Sequence, residues 1–186
     1  MEQEEKTLYT ILVFSENLAG LLNQITAVFT RRQVNIESLN VSASSIKGIH
    51  KYTITCYSDA ETIEKITRQI ERKIDVIQAN YYTDNEIFIQ ECGLMKISTP
   101  VLLENKQVSR SIRIHDANIV EVNPTYAIVT KCGLTEDIES LYQALKSCKC
   151  VLQYVRSGRI AITKSHTEHI SDYINAREQK YRESKA

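Results

Sequence analysis

Chemistry at neutral pH needs side chains that carry a proton, a charge or a metal, so the cysteines and histidines come first. Five cysteines, Cys56, Cys92, Cys132, Cys148 and Cys150, are odd in number and form no C-x-x-C pair. That pattern argues against a disulfide framework and against a zinc ribbon, and leaves buried or half-exposed thiols. Cys148 and Cys150 flank Lys149 at strand spacing, which would put their side chains on one face. The four histidines, His50, His115, His166 and His169, stand in no nucleophile, base and acid signature. His166 and His169 fall in the polar end SHTEHISDYINAREQKYRESKA and read as a fortuitous pair in a solvated tail, not as metal ligands. Glu61, Glu64, Glu136, Asp137 and Glu139 lie on expected exposed helix faces, where solvation explains them better than acid-base work. With five glycines in all and neither G-x-x-x-x-G-K-[ST] nor G-x-G-x-x-G, phosphate cradling is not expected. No residue is assigned a catalytic or a metal-binding role, and the enzyme class is the weaker one.

A binding chemistry is written in one stretch, ENLAGLLNQITAVFTRRQVNIESLNV, from Glu16 to Val41. A helix expected to start at Asn17 offers first-turn N–H groups that lack intrahelical acceptors and carry partial positive charge, a site for a small carboxylate. Gly20, expected inside that first turn, costs about 0.8 to 1.0 kcal/mol relative to alanine. Either a ligand approaches the backbone there or a neighbouring helix does. Asn17 serves equally as a plain N-cap.

The elements that must position this stretch follow from periodicity. Thr7 to Phe14 (TLYTILVF) is rich in β-branched and aromatic residues and reads as a strand. Leu18, Leu21, Leu22, Ile25, Val28 and Phe29 lay one apolar stripe on a helix, with Asn23, Gln24, Thr26 and Arg31 facing elsewhere. VNIESLNV reads as a second strand, SASSIKG as a turn, and HKYTITCY as a half-covered third strand, Tyr52, Ile54 and Cys56 alternating with Lys51, Thr53 and Thr55. Ser58 and Glu61 make an S-x-x-E capping box for a helix striped by Ile63, Ile66, Ile70 and Ile74, and DVIQANYY closes the unit. The order is βαββαβ, a ferredoxin-like arrangement with an antiparallel sheet and both helices on one face. The other face is left for a partner.

The order recurs: EIFIQECGLMKIS as strand, VLLENKQVSRSIRIH as helix, NIVEVN and TYAIVTKC as strands split by Pro124, and TEDIESLYQALKSC as a helix striped by Ile138, Leu141, Tyr142 and Leu145. CVLQYVRSGRIAITK supplies the last strand, bent at Ser157 and Gly158. The expected fold class is α+β with two ferredoxin-like units, residues 7–84 and 85–165, followed by a polar tail over 166–186.

Composition narrows the function classes. The 186 residues are 42% hydrophobic and 25% charged, as in soluble globular proteins. No apolar run nears the ~20 residues of a membrane span, and MEQEEK lacks the basic start of a secretory signal, so no membrane role is expected and the cytoplasm is the expected location. Lys plus Arg and Asp plus Glu both number 23, so no excess positive charge is available to hold nucleic acid. Tyr52 is too isolated to form an RNA-stacking surface, and SENLAG replaces the M-x-C-x-x-C loop of a copper chaperone.

The run LVFSENLAGLLNQITAVFTRRQVNIESLNV, followed by KYTITCYSDAETIEKITRQIERKIDVI, resembles the amino-terminal ACT domain of the acetolactate synthase (acetohydroxyacid synthase) small-subunit family. Its R-x-x-NIESL run with a downstream DV is distinctive for that family, and YVRSGRIAITKS is similar to the V-A-R-S-G ending of the family's second domain. The resemblance covers about residues 8–165. It implies a non-catalytic regulatory subunit that homodimerises through the first domain. Such a subunit binds and activates a catalytic large subunit and confers feedback inhibition by valine or a related branched-chain amino acid. No cofactor is implied for this chain; thiamine diphosphate, Mg and FAD are expected in the catalytic partner. By position, Asn17, Gly20 and the backbone of Ala19 and Leu21 would hold the effector's carboxylate and amino group, with Asn35 and Ile36 closing the site from the partner chain. Two departures stand out: Gln33 where the family usually has glycine, and Ala19 where proline or serine often precedes the loop glycine. The rival expectation is an ACT-type amino-acid sensor that controls a different enzyme or a transcription complex.

Overall fold

β-Branched and aromatic side chains crowd Thr7–Glu16, and this segment is the central strand β1 of the first sheet. The computed structural model describes residues 6–164. After β1 come α1 (Leu21–Thr30), β2 (Ser38–Ala43), β3 (Ile49–Ser58), α2 (Ala60–Glu71) and β4 (Val76–Tyr82). The strands lie in the order β2-β3-β1-β4 with every described pairing antiparallel, so β1 is flanked by β3 and β4, as βαββαβ winding requires. The core joins Ile11, Val13 and Ile54 of the sheet to Ile25 and Phe29 of α1 and to Ile63, Ile66 and Ile70 of α2, each at most 1% exposed.

The second unit repeats the plan. β5 (Ile87–Ser98) leads through α3 (Thr99–Glu104) and α4 (Lys106–Ile114) to β6 (Asn118–Val122) and β7 (Tyr126–Gly133). Then come α5 (Thr135–Ser147), β8 (Val151–Arg156) and β9 (Ile160–Thr163). The order β6-β7-β5-β8 matches the first sheet strand for strand, with β9 added against β5. Met95, Ile97, Val108, Val129, Ile138 and Leu141 are fully buried in its own core. Gly93 of β5 is required by packing: a Cβ there would lie 2.5 Å from Cγ2 of Ile138, so α5 rests directly on the strand. The fold is α+β with two ferredoxin-like units. By compactness the described chain divides into residues 6–88 with 161–164, and Ile89–Ile160.

Several local expectations give way. α1 starts at Leu21, not at Asn17, because Gly20 adopts φ 86 and no helix runs through a left-handed residue. Leu18 and Leu22 are therefore off the buried stripe, 47% and 39% exposed. β2 begins at Ser38, not at Val34, because the chain must first leave α1 through Gln33 at φ 55. The cap of α2 is Asp59, whose Oδ1 accepts the Thr62 N–H at 2.7 Å, while Ser58 still belongs to β3 and its buried Oγ has no partner. α2 ends at Glu71, so Ile74 lies beyond it, 85% exposed. Thr53 and Thr55 are as buried as their apolar neighbours, so alternation in polarity along β3 is not alternation in exposure.

The single helix expected over 101–115 is two, broken at Asn105, whose extended backbone ends α3 and whose side chain accepts the Gln107 N–H to start α4. Cys148 and Cys150 do not share a strand face: Cys148 caps α5, Lys149 turns left-handed at φ 55, and the buried Cys150 thiol donates to the Leu145 carbonyl. His166, His169 and the tail over 166–186 lie outside the described residues.

Candidate functional site

The segment between β1 and α1 is built by one tight turn. Leu21 N–H reaches back to the Leu18 carbonyl at 3.4 Å, and Gly20, third of the four residues, has φ 86 and ψ −10, the values a type II turn demands there. This accounts for the glycine. A Cβ on Gly20 would meet nothing within 4 Å, so the constraint is backbone handedness and not room within the chain.

The turn delivers the start of α1 with its donors free. Gln24 N–H donates to the Gly20 carbonyl at 3.2 Å, the first intrahelical bond. Among the described residues, the N–H groups of Ala19, Gly20, Leu22 and Asn23 have no backbone acceptor, and no side chain caps the helix. No acidic residue stands in the first turn to occupy them. Residues 16–20 are all exposed. The arrangement can receive a small anion at a helix N-terminus. Asn17 is not the cap: its N–H donates to the Gly48 carbonyl at 3.0 Å, fixing the loop, and its exposed side chain lies three residues ahead of the cap position.

Asn35 and Ile36 sit elsewhere. They follow the far end of α1, whose 10 residues span about 15 Å. One chain therefore does not bring Asn17, Ala19, Gly20 and Leu21 together with Asn35 and Ile36. The latter two line a groove of about 320 Å³ with Thr26, Phe29, Thr30, Gln33 and Val34. Ile36 leans on the core while Asn35 is exposed. Thr26, Thr30 and Gln33 are additions that stripe-reading discards. Their signal was present as Leu22, Thr26 and Thr30 at four-residue spacing, a second face of α1 beside the buried one.

The groove owes its floor to the way α1 ends. Gln33 N–H donates to the Thr30 carbonyl at 3.1 Å and Val34 N–H to the Phe29 carbonyl at 3.2 Å, the paired bonds of a Schellman ending with Gln33 in the left-handed position. Glycine suits that position best, which is the physical content of the Gln33 departure.

The R-S-G run has a structural place in the second unit. Ser157 Oγ accepts the Cys92 N–H at 3.0 Å and Ser157 N–H donates to the Cys92 carbonyl at 2.9 Å, continuing the β5–β8 ladder by one residue. Arg156 and Arg159 flank it and pair with the buried Glu91 carboxylate at 3.4 and 3.5 Å, whose Oε1 also accepts the Thr135 hydroxyl at 2.7 Å. Among the described residues, no helix is long and apolar enough to cross a membrane.

Both units have counterparts in known proteins. The AHAS small subunit-like ACT domain matches residues 11–78, and the family described as the small subunit of acetolactate synthase matches residues 90–165. The acetolactate synthase small subunit of Bacillus subtilis is 29% identical over 83% of this chain and 90% of its own. That of Haemophilus influenzae is 28% identical over 82% of this chain and 93% of its own. The crystal structure of the Thermotoga maritima small subunit superposes with a TM-score of 0.77 at 22% identity, covering 86% of this chain and 99% of that one, which shows the fold. With an ACT domain over its first half and the small-subunit domain over its second, the chain belongs to the acetolactate synthase small-subunit family.

Proposed function

We propose that this chain is the non-catalytic regulatory subunit of an acetolactate synthase, activating the catalytic large subunit and making it sensitive to valine or a related branched-chain amino acid. The carrying observation is the set of unpaired N–H groups at Ala19, Gly20, Leu22 and Asn23, exposed and free of any acidic neighbour in the first turn of α1. A free amino acid brings the carboxylate these donors lack. Thiamine diphosphate, Mg and FAD belong, in this reading, to the catalytic partner in the cytoplasm.

Because Asn35 and Ile36 lie a helix length from Gly20, the complete site needs two chains, the first loop of one meeting the start of β2 of the other in a homodimer. The energies suit a metabolite sensor. Charge-assisted hydrogen bonds contribute roughly 1.5 to 3 kcal/mol each and a buried isopropyl group roughly 1.5 to 3 kcal/mol, against an association cost of at least about 4 kcal/mol. A ligand straddling two chains favours one arrangement of the dimer, and a coupling of about 1 to 3 kcal/mol transmits that choice to the enzyme.

Co-purification from a cell extract, followed by an acetolactate assay on the recovered partner with and without added chain, tests the assignment. Recovery of a thiamine-diphosphate enzyme whose rate rises with the added chain is expected. Recovery of a different enzyme or of a transcription complex would transfer the chain to another ACT-type sensor role.

A further inference from the structure

We propose that Cys92 and Cys132 are a redox modification site, closing to an intrachain disulfide across β5 and β7 under mild peroxide oxidation and reopening with thiol reductant. The two residues are direct partners in the antiparallel register of these strands. Both backbone groups of Cys92 are committed to Ser157 on the β8 side, its N–H to Oγ at 3.0 Å and its carbonyl to the Ser157 N–H at 2.9 Å. In a strand the N–H and C=O of one residue point the same way, so Cys92 makes no ladder bonds to β7, and Cys92 and Cys132 form a non-hydrogen-bonded pair. Such pairs hold their Cα atoms about 4.5 Å apart, inside the roughly 4.4 to 6.8 Å span of disulfides.

The side chains point the right way. Gly93 is directed at Ile138 of α5, so its neighbour Cys92 faces the opposite side of the sheet, away from the helices. Cys92 Sγ lies 3.4 Å from the Thr130 hydroxyl on the same face, and Cys132 is exposed. A hydrogen bond with the Cys92 thiol, aided by burial and the nearby sulfur charge, holds the Cys132 thiol above its ordinary range, as expected of two sulfurs in contact. The buried thiols Cys56 and Cys150 compete poorly, both pushed up to about 11, chiefly by burial.

The step balances with hydrogen peroxide as oxidant. One thiolate attacks a peroxide oxygen, the O–O bond breaks, and a sulfenic acid and one water result. The second thiolate then attacks the sulfenic sulfur, the S–OH bond breaks, and a second water leaves. Two electrons pass from the sulfur pair to the peroxide, and each thiol gives up its proton to the water formed.

Peptide mapping of the native full chain after limited peroxide treatment and alkylation of the remaining thiols tests the proposal. The expected product links the tryptic peptides Ile74–Lys96 and Cys132–Lys146, each holding one cysteine, at about 2 Da below their summed mass, and dithiothreitol releases them. Cys132→Ser, at an exposed position, removes the link while leaving the circular dichroism spectrum unchanged, and Cys92→Ser does the same. The proposal is overturned if peroxide gives only sulfinic or sulfonic acids, cross-links between chains, or an intrachain link through Cys148, an outcome the map of the unmutated protein decides by itself.

Discussion

The Val34 N–H donates to the Phe29 carbonyl at 3.2 Å across Gln33, which the closure of α1 forces to φ 55. A non-glycine residue in the left-handed region costs about 1 to 2 kcal/mol, partly returned because glycine loses about 0.5 to 1 kcal/mol of chain entropy on folding. Gln33→Gly should therefore stabilise the first unit by roughly 0.5 to 1 kcal/mol. Urea unfolding followed by circular dichroism measures this; a fall in the midpoint would show that Gln33 makes contacts that outweigh its backbone strain.

At α2 the two candidate caps give opposite expectations. Asp59→Ala removes the bond from Thr62 and should cost about 1 kcal/mol, whereas Ser58→Ala removes a buried hydroxyl that has no partner and should raise stability by about 1 kcal/mol. The Thr62 N–H, with the Thr62 side chain, holds the Asp59 carboxyl below its ordinary value of 3.8. A carboxyl depressed in the folded state stabilises above its unfolded value and loses that contribution as pH falls through the folded one. Unfolding curves of Asp59→Ala and the parent should thus differ fully at pH 7 and converge as the pH drops below 3.8.

Gly93→Ala tests the contact between β5 and α5. The new methyl would meet Cγ2 of the fully buried Ile138 at 2.5 Å, and overpacking of this kind costs about 1 to 3 kcal/mol. The double variant with Ile138→Leu, which keeps the volume but has no branch at Cβ and so removes the clashing Cγ2, should recover part of the loss. No recovery on thermal melting would place the strain elsewhere.

Glu91 is held among Thr135, Arg156 and Arg159, its side chain 5% exposed, with Arg159 at 13% and Arg156 at 39%. Removing the acid takes the carboxylate from Arg159 in a poorly hydrated place, while Arg156 keeps access to water. Glu91→Ala should cost about 3 kcal/mol, at the lower end of buried-pair disruptions. Gln at the same position keeps the acceptor for Thr135 and should cost less. Equal losses from the two, measured by denaturant titration, would assign the effect to shape and not to charge.

Both βαββαβ units were legible because each strand and helix carries its own period, and alternation along Ile87–Ser98 or the isoleucines of Ala60–Glu71 cannot be mistaken for the other class. The ends were less legible, since caps are decided by backbone handedness that side-chain pattern does not encode. Gly20 looked like a helical residue with a missing side chain and is a turn residue with φ 86. Ser58 matched a capping spacing, yet pairing of β3 with β1 runs on through Ser58 opposite Thr7 and hands the cap to Asp59. Of the residues proposed to bind the effector, those at the unsatisfied start of α1 could be foreseen from chain chemistry. Thr26 and Thr30 share a second face of α1 with Leu22 at four-residue spacing, but that this face borders a groove, and that Gln33 joins it, depends on how α1 leaves the core, which no local period reports.

The most direct measurement is valine inhibition of the catalytic subunit reconstituted with this chain, with Gly20→Asp, and with Gly20→Asn. Nothing lies within 4 Å of a Cβ at Gly20, and both substitutions carry the same left-handed penalty, so they differ in one negative charge placed where the ligand carboxylate belongs. All three chains should raise acetolactate formation, valine should suppress the rate with the parent chain and still act with Gly20→Asn at higher concentration, and Gly20→Asp should leave it insensitive. Equal valine inhibition with Gly20→Asp and the parent, or no activation by any of the three, would contradict the account.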